Sequence, residues 1–323
     1  MQNNTETIFE TSFQQEVHQG LTDFPKHLSS KFFYDTPGDR LFQDIMAMPE
    51  YYLTNSEFEI LDTYTKEITE WFFRDGKPFD LIELGAGDGK KTKILLRHLL
   101  EQKVNFIYKP IDISPNALEH LERSLHTELP EMNIEPKQGT YFETLASLNV
   151  QNGKKKVILF LGSNIGNLLH PQAVDFLKGV GNLMQEDDLF FVGFDQKKHP
   201  QAILDAYNDQ AGITEAFNKN LLARINRELG ANFDLDKFLH WEVYDPETGT
   251  AKSFLVSKEG QTVSLPKIDL TVTFKPWETI HTEISQKYDD AIVHWLAQKA
   301  GLEIRDQWED KRSFYKDYLF KKK

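Results

Sequence analysis

The chain has 323 residues, with 50 acidic against 37 basic side chains and a net charge of −13, so it repels phosphate backbones and nucleic acid is not an expected partner. Its 40% apolar and 12% aromatic content is that of a globular protein. The lack of cysteine excludes disulfides, thiolate nucleophiles and cysteine-based zinc sites, and the ten scattered histidines predict no metal site.

No apolar run approaches the roughly 20 residues needed to cross a bilayer, so we expect no membrane span. The first residues have neither a basic start nor an apolar core, which predicts no secretory signal and a cytoplasmic location. Because no sustained heptad pattern or exposed apolar helix stands out, a monomer is expected.

The first part of the chain, residues 1–60, is predicted to be mostly helical and rich in aromatic residues. Tyr34, Tyr51 and Tyr52 lie near prolines and a glycine, and so on loops or helix ends. Ser56 is predicted to cap a helix that continues to about Phe73.

The stretch from Phe79 to Gly89 predicts the start of a nucleotide-binding α/β unit. A short apolar strand is followed by three glycines at alternate positions and then by residues that suit a helix. Only glycine lets a backbone pass this close to a ligand. The spacing is G-x-G-x-G with Glu83 before it, which is more typical of S-adenosylmethionine (SAM) binding than of the G-x-G-x-x-G dinucleotide fingerprint.

Further strands and helices alternate after this turn. A second strand ends at Asp112, where a carboxylate can accept both ribose hydroxyls of a nucleoside, and Ser114 and Pro115 then cap a helix. A weak third strand is predicted at 133–137, a fourth at 156–161 and a fifth at 189–195. The fourth opens into the polar segment 162–167, at a strand end of the kind where ligands of open α/β sheets bind.

The pattern changes after the fifth strand. Residues 200–229 are predicted to be helical with a break near Gly212, and residues 238–280 alternate as antiparallel strands do. In the extended segment that follows, the two-residue period places His281, Glu283 and Ser285 on one face. A helix stopped by Gly301 and a closing hairpin complete the chain.

This arrangement, with Glu83 before the glycine turn and Asp112 after the next strand, is similar to class I SAM-dependent methyltransferases. The resemblance implies an α/β fold: a Rossmann-like sheet with an antiparallel last strand, plus a smaller α+β substrate domain from the N-terminus and an insertion. We predict a SAM-binding domain of residues 61–196 and 287–323 and a substrate-binding domain of residues 1–60 and 197–286.

Seven motifs narrow the resemblance to the histidine Nα-methyltransferases of ergothioneine biosynthesis. In the family's order and spacing they are Phe33–Asp35, Pro49–Tyr52, Phe160–Leu168, Ala206–Asp209, Ala216–Leu222, Ile225–Gly230 and Thr282–Ser285. The resemblance implies a SAM-dependent enzyme that methylates the α-amino nitrogen of a small-molecule amino acid, with histidine converted to trimethylhistidine (hercynine).

The resemblance also implies roles for single residues. The cofactor contacts would be Tyr34, Glu83, Gly85, Gly87, Lys91, Asp112, Thr140 and Tyr141. The substrate contacts would be Tyr51, Gly162, Asn167, Tyr207, Ser253, Glu283 and Ser285, with Tyr51, Asn167 and Tyr207 acting in catalysis. A carboxylate and a hydroxyl on one strand face, Glu283 and Ser285, can match the two nitrogens of an imidazole.

Two positions depart from the family, and other functions stay open. Thr140 replaces an aspartate expected at the adenine, and Ser253 replaces a methionine of the side-chain pocket. An Nα-methyltransferase for another amino acid, such as tryptophan, is therefore the first alternative. A dinucleotide-dependent (NAD) oxidoreductase is the second, because Asp112 would also suit an NAD ribose, and a non-enzymatic SAM- or metabolite-binding module is the third.

Overall fold

The computed structural model describes residues 9–152 and 154–323. Residues 1–8, which the domain prediction placed in the substrate-binding part, lie outside the described residues. The chain forms two compact units, one from Met1–Tyr52 and Lys198–Ser285 and one from Leu53–Lys197 and Gln286–Lys323. The assignment of substrate to the first unit and of cofactor to the second stays a prediction.

Helices and strands alternate through the middle of the chain, and strands are concentrated in its last third. The helices are α1 (Ser12–Thr22), α2 (Thr36–Ala47), α3 (Tyr52–Thr63), α4 (Thr65–Phe73), α5 (Thr92–Glu101), α6 (Pro115–Glu128), α7 (Tyr141–Asn152), α8 (His170–Leu183), α9 (Pro200–Tyr207), α10 (Ile213–Leu229) and α11 (Asp290–Ala300). The strands are β1 (Phe79–Leu84), β2 (Phe106–Asp112), β3 (Lys137–Gln138), β4 (Lys155–Phe160), β5 (Leu189–Asp195), β6 (Phe238–Asp245), β7 (Thr250–Ser257), β8 (Gln261–Leu265), β9 (Leu270–Phe274), β10 (Thr279–Gln286), β11 (Leu302–Glu309) and β12 (Tyr315–Lys322).

The second unit is built on one seven-stranded sheet with the order β11-β12-β5-β4-β1-β2-β3. Strands β1 to β5 run parallel, whereas β12 pairs antiparallel with both β5 and β11. This is the Rossmann-like methyltransferase arrangement, and the antiparallel last strand predicted from the sequence is confirmed. In this sheet Leu84 lies beside Ile111, and Glu83 lies beside Leu159, so β1, β2 and β4 end at one edge.

The central strands of this sheet are buried on both faces. Every residue of β1, β4 and β5 is buried, as parallel strands covered by helices require. On one face Ile82 and Ile158 pack with Leu177 of α8, and on the other Leu81 packs with Leu95 of α5. The core therefore holds the strand ends in place on both sides.

Of the helix predictions near the sheet, the cap at Ser114 is confirmed, whereas the single helix to Phe73 and its cap at Ser56 are wrong. Ser114 caps α6 as predicted, accepting the Ala117 N–H at 3.2 Å. The single helix predicted from Ser56 is instead α3 and α4, broken at Tyr64 between two threonines, which have low helix propensity. Ser56 lies inside α3, where its hydroxyl donates to Asp310 at 3.2 Å.

The predicted third strand is much shorter in the structure. Only Lys137 and Gln138 pair with β2, while Ile134 forms an isolated bridge with Tyr108. Pro136 lies between these two points, and proline has no N–H to donate to a ladder. Helices α7 and α8 had no sequence prediction of their own.

The first unit combines helices with two small sheets. Strands β10, β7 and β6 form a three-stranded sheet, and β8 pairs with β9. The predicted break near Gly212 is confirmed, because this residue is left-handed with φ +76° and precedes α10. The alternation predicted for β10 holds only as far as Glu283, because Ile284 is half-buried and Ser285 is buried. Within residues 9–152 and 154–323, no helix combines the length and apolarity needed to span a membrane.

Candidate functional site

The glycine turn between β1 and α5 is shaped for close approach by a ligand. Gly85 has φ +73°, and a Cβ there would lie 2.7 Å from the Tyr141 hydroxyl, so only glycine fits. Gly87 has φ +55°, and a Cβ there would meet no atom within 4 Å, which shows that its outer side is open. The turn therefore presents bare backbone to open space.

Asp112 is tied to this turn. One carboxylate oxygen accepts the Gly87 N–H at 3.4 Å, and the other accepts the Ser114 N–H at 2.9 Å. The Gly85 N–H donates to the Ile111 carbonyl at 2.8 Å. These bonds hold the carboxylate beside the open side of the turn while leaving lone pairs for further donors.

Glu83 lies beneath the turn and is buried. It accepts hydrogen bonds from the Thr92 hydroxyl at 2.6 Å and from the Tyr108 hydroxyl. Since Thr92 begins α5, this carboxyl joins the two ends of the glycine turn. Its place in the structure is that of a residue that supports the turn from inside.

The neighbouring predicted cofactor residues have different surroundings. The Thr140 hydroxyl donates to Glu143 at 2.6 Å, next to the start of α7. The Tyr141 ring packs edge-on against Phe160, with the ring centroids 5.7 Å apart. Burial, and then the charge of Asp112, raises the pKa of Tyr141 to about 12, so this hydroxyl is a donor at neutral pH.

Three more predicted residues of this unit lie near strand ends or in the turn leading to α5. Lys91 donates to the buried carboxylate of Glu57. Gly162 and Asn167 are exposed in the segment that follows β4, and the Tyr288 hydroxyl fixes that segment by donating to the Ile165 carbonyl at 3.0 Å. The structure thus brings the glycine turn, Asp112, Tyr141, Lys91 and Gly162 to one edge of the sheet, as parallel strands predict.

The first unit brings three predicted substrate residues into contact. The Tyr207 hydroxyl and the Ser285 hydroxyl are 2.7 Å apart. The Tyr51 ring lies edge-on to the Tyr207 ring, with centroids 6.2 Å apart. Tyr34 belongs to the same aromatic group, because both Tyr34 and Tyr51 pack against Phe42.

Sequence reasoning missed the polar support behind Tyr207. His240 Nε2 donates to the Tyr207 carbonyl at 2.9 Å, while His240 Nδ1 is 2.8 Å from the Asn218 amide nitrogen. A carbonyl can only accept, so the Nε2 proton is fixed and Nδ1 accepts from Asn218. Burial lowers the pKa of His240, which keeps the ring neutral and in this tautomer.

The last two predicted substrate residues lie on β7 and β10. Ser253 is buried, and its hydroxyl donates to Glu242 of β6 at 2.6 Å. Its carbonyl accepts from the Thr282 hydroxyl of β10 at 3.0 Å. Glu283 is half-buried on β10, two positions before Ser285.

Comparison with known proteins decides the family. The model of a family described as histidine-specific, SAM-dependent methyltransferases matches residues 13–322. The chain belongs to this family. The oxidoreductase and the non-enzymatic module considered from the sequence are thereby excluded, and the methyltransferase prediction is confirmed.

Relatives of this methyltransferase are named after two different amino acids. It is 34% identical over 300 residues to a histidine N-alpha-methyltransferase from Mycolicibacterium smegmatis, covering 93% of this chain and 91% of the relative. It is 33% identical to one from Mycobacterium tuberculosis, again covering 93% and 91%. An L-tryptophan methyltransferase from Psilocybe serbica is 27% identical, covering 93% and 90%.

Glu83 gives this methyltransferase a testable pH dependence. Burial raises the pKa of Glu83 from 4.5 to about 7, against the opposing hydrogen bonds from Thr92 and Tyr108. Between these two values the carboxyl is protonated in the folded protein and ionised in the unfolded chain, so folding takes up a proton. The stability contributed by this group therefore falls as pH rises through that window, by on the order of 3 kcal/mol.

We expect Glu83→Gln to abolish this loss of stability with rising pH. The melting temperature of the variant should rise relative to that of the natural protein between about pH 5 and about pH 8. Glu131→Gln, which changes an exposed carboxyl, serves as the control and should show no such trend. Identical pH profiles for Glu83→Gln and the natural protein would contradict the raised pKa.

Proposed function

We propose that this protein transfers methyl groups from SAM to the α-amino nitrogen of histidine, ending with trimethylhistidine. The family match over residues 13–322 is the observation that carries the proposal. The names of the relatives from Mycolicibacterium smegmatis and Mycobacterium tuberculosis support histidine as the substrate.

The residues at the glycine turn suit SAM. Bare backbone at Gly85 and Gly87 would pass beside its methionine part, and Asp112 would accept hydrogen bonds from the ribose hydroxyls. We also assign cofactor contacts to Tyr34, Lys91, Thr140 and Tyr141, and to Glu83 the support of the turn from inside. When bound, SAM supplies a methyl group activated by a positively charged sulfur.

The chain's task in methyl transfer is alignment, because the nitrogen, the methyl carbon and the sulfur must lie in line. We assign the α-amine and carboxylate to Tyr51, Asn167 and Tyr207, and a further substrate contact to Gly162. The amine must be neutral when it attacks, and its proton leaves to water or to a tyrosine oxygen. The contact with the Ser285 hydroxyl fixes the Tyr207 hydroxyl, and His240 holds the Tyr207 backbone carbonyl, before substrate arrives.

The substrate side chain is assigned to Glu283 and Ser285. A carboxylate and a hydroxyl can accept from and donate to the two nitrogens of an imidazole. Ser253 acts beside them through its bond to Glu242, which makes this part of β7 polar.

Tyr51→Phe should keep amino-acid binding but slow methyl transfer. The substitution removes the hydroxyl that we assign to the amine and leaves the ring packed against Phe42 and Tyr207. We expect kcat to fall about tenfold with KM little changed, the loss of one hydrogen bond. Phe42→Leu is the control, because it alters the aromatic group without removing a hydroxyl. Unchanged turnover of Tyr51→Phe would remove Tyr51 from the mechanism.

The choice among amino acids is tested with initial rates for each proteinogenic amino acid at fixed SAM. We expect histidine to give the highest kcat/KM. A higher value for tryptophan would keep the chemistry and replace the substrate, and Ser253→Met would then be the variant to examine. Loss of the tryptophan rate in Ser253→Met would assign the altered choice to that residue.

A further inference from the structure

Glu57 is a fully buried acid in the middle of α3, with a relative exposure of 0%. A buried carboxylate is costly unless several donors compensate its charge. It shares its helix face with Leu53, Ile60 and Leu61, all buried, so the acid occupies a core position. A carboxylate in such a position needs hydrogen-bond donors or a cation beside it.

Three donors from three separate elements meet at this carboxylate. The Gly162 N–H lies 2.9 Å from each of its oxygens, the Tyr315 hydroxyl donates at 2.8 Å, and the Lys91 ammonium forms an ion pair with it. Gly162 follows β4, Lys91 precedes α5, and Tyr315 begins β12. Three donors, one of them cationic, therefore compensate this buried carboxylate.

A second buried acid, Asp317, lies beside Glu57. Among the described residues, neither oxygen of Asp317 has a hydrogen-bond partner. A Cβ on Gly193 would overlap Glu57 and Tyr315 and would lie 2.9 Å from an Asp317 oxygen, which shows how closely these groups approach. Burial, and then the charge of Glu57, raises the pKa of Asp317 well above its usual range, so Asp317 favours its protonated form.

We propose that Glu57 is a positioning residue that holds the Lys91 ammonium and the Gly162 backbone at fixed places relative to each other. Both partners are near each other, because a Cβ on Gly162 would lie 3.5 Å from Lys91 Nζ. The Lys91 side chain is 20% exposed whereas that of Glu57 is closed to solvent, so a ligand meets Lys91 and not the acid. This role rests on the proposed function, which assigns Lys91 to SAM and Gly162 to the amino acid.

The charge of Glu57 also matters for the ligand. SAM carries a net positive charge, and an uncompensated Lys91 ammonium would repel it. Glu57 neutralises Lys91 without presenting a carboxylate to the ligand. Removing the Glu57 charge should therefore weaken SAM both by releasing Lys91 and by leaving its charge unbalanced.

A double-mutant cycle tests this role, with SAM binding measured by calorimetry in the absence of amino acid. We expect Glu57→Gln to raise the Kd of SAM about tenfold, the loss of one positioned charged contact. In a Lys91→Met background the same substitution should change Kd by less than about twofold, because the two residues then no longer interact. An effect of Glu57→Gln that persists in that background, or no effect at all, would overturn the proposal.

Hydrogen exchange without any ligand gives a second readout. The Gly162 amide should exchange faster in Glu57→Gln, and also in the Glu57→Gln/Lys91→Met double variant, which has no unpaired buried charge. Tyr315→Phe is the matched control, since it removes a different donor from the same carboxylate and should leave both Kd and the exchange of Gly162 unchanged. Unaltered exchange in the Glu57 variants would contradict the role.

These measurements are independent of the proposed substrate. If the natural protein methylates no amino acid while the cycle still shows coupling, the proposed function fails and the positioning role of Glu57 stands. If histidine is methylated while Glu57→Gln binds SAM normally, the proposed function stands and the positioning role fails.

Discussion

Asp112→Ala should raise the Kd of SAM about 100-fold, because two hydrogen bonds to a charged group are each worth about 1.5–3 kcal/mol. Asp112 ends β2 beside the open side of Gly87, and it is the carboxylate at the glycine turn whose position suits a ribose. The loss should appear in calorimetry with SAM alone, before any amino acid is added. Asp112→Asn keeps one acceptor oxygen, so its Kd of SAM should lie between those of the natural protein and Asp112→Ala.

Asp88→Ala is the matched control for this result. Asp88 lies in the same turn and, like Asp112, accepts the backbone N–H two residues ahead, from Lys90 at 3.0 Å. It shares the negative charge and the local turn but has no assigned ligand contact. A similar loss of affinity in Asp88→Ala would show that general charge matters rather than the ribose contact, and unchanged affinity in Asp112→Ala would place the cofactor elsewhere.

Glu283→Ala should lower kcat/KM for histidine roughly 30-fold or more, the cost of losing a charged hydrogen bond to the ring. The structure places Glu283 on β10 two residues before Ser285, whose hydroxyl contacts Tyr207. Because the assigned partner is the imidazole, the loss should be large for histidine and small for amino acids without a ring nitrogen. SAM affinity should not change.

The control is Glu259→Ala, which removes the same charge from an exposed position paired with Lys237 at 2.8 Å. Its kinetics should match those of the natural protein. An equal loss for every amino acid in Glu283→Ala would assign Glu283 to the common amino-acid group or to folding. A normal rate with histidine would remove it from the site.

The sheet could be predicted because its signals are local. Apolar runs marked β1, β4 and β5, and the glycine spacing marked the turn after β1. The carboxyl ends of parallel strands must meet at one edge, so the positions of Gly85, Asp112 and Gly162 along the chain were enough to predict that they lie together. The family resemblance supplied the residues of the first unit, which no local pattern would have connected.

The parts that sequence reasoning missed depend on contacts between distant residues. The Glu57 carboxylate accepts hydrogen bonds from Lys91, Gly162 and Tyr315, which are 34, 105 and 258 positions away in the chain. No local sequence pattern predicts contacts over such separations. One signal was available, since an acid in line with Leu53 and Ile60 on a helix face is unusual in a core. The split of α3 from α4 and the short β3 show the opposite case, because their causes are local: the threonines on either side of Tyr64 and the proline at 136.

The most direct measurement is mass spectrometry of histidine incubated with SAM and the purified protein, with fragmentation to locate the added groups. The proposed function predicts a product carrying three methyl groups, all on the α-nitrogen, and much less of it with Asp112→Ala at the same SAM concentration. The absence of any methylated histidine, or methyl groups on the imidazole ring, would contradict it.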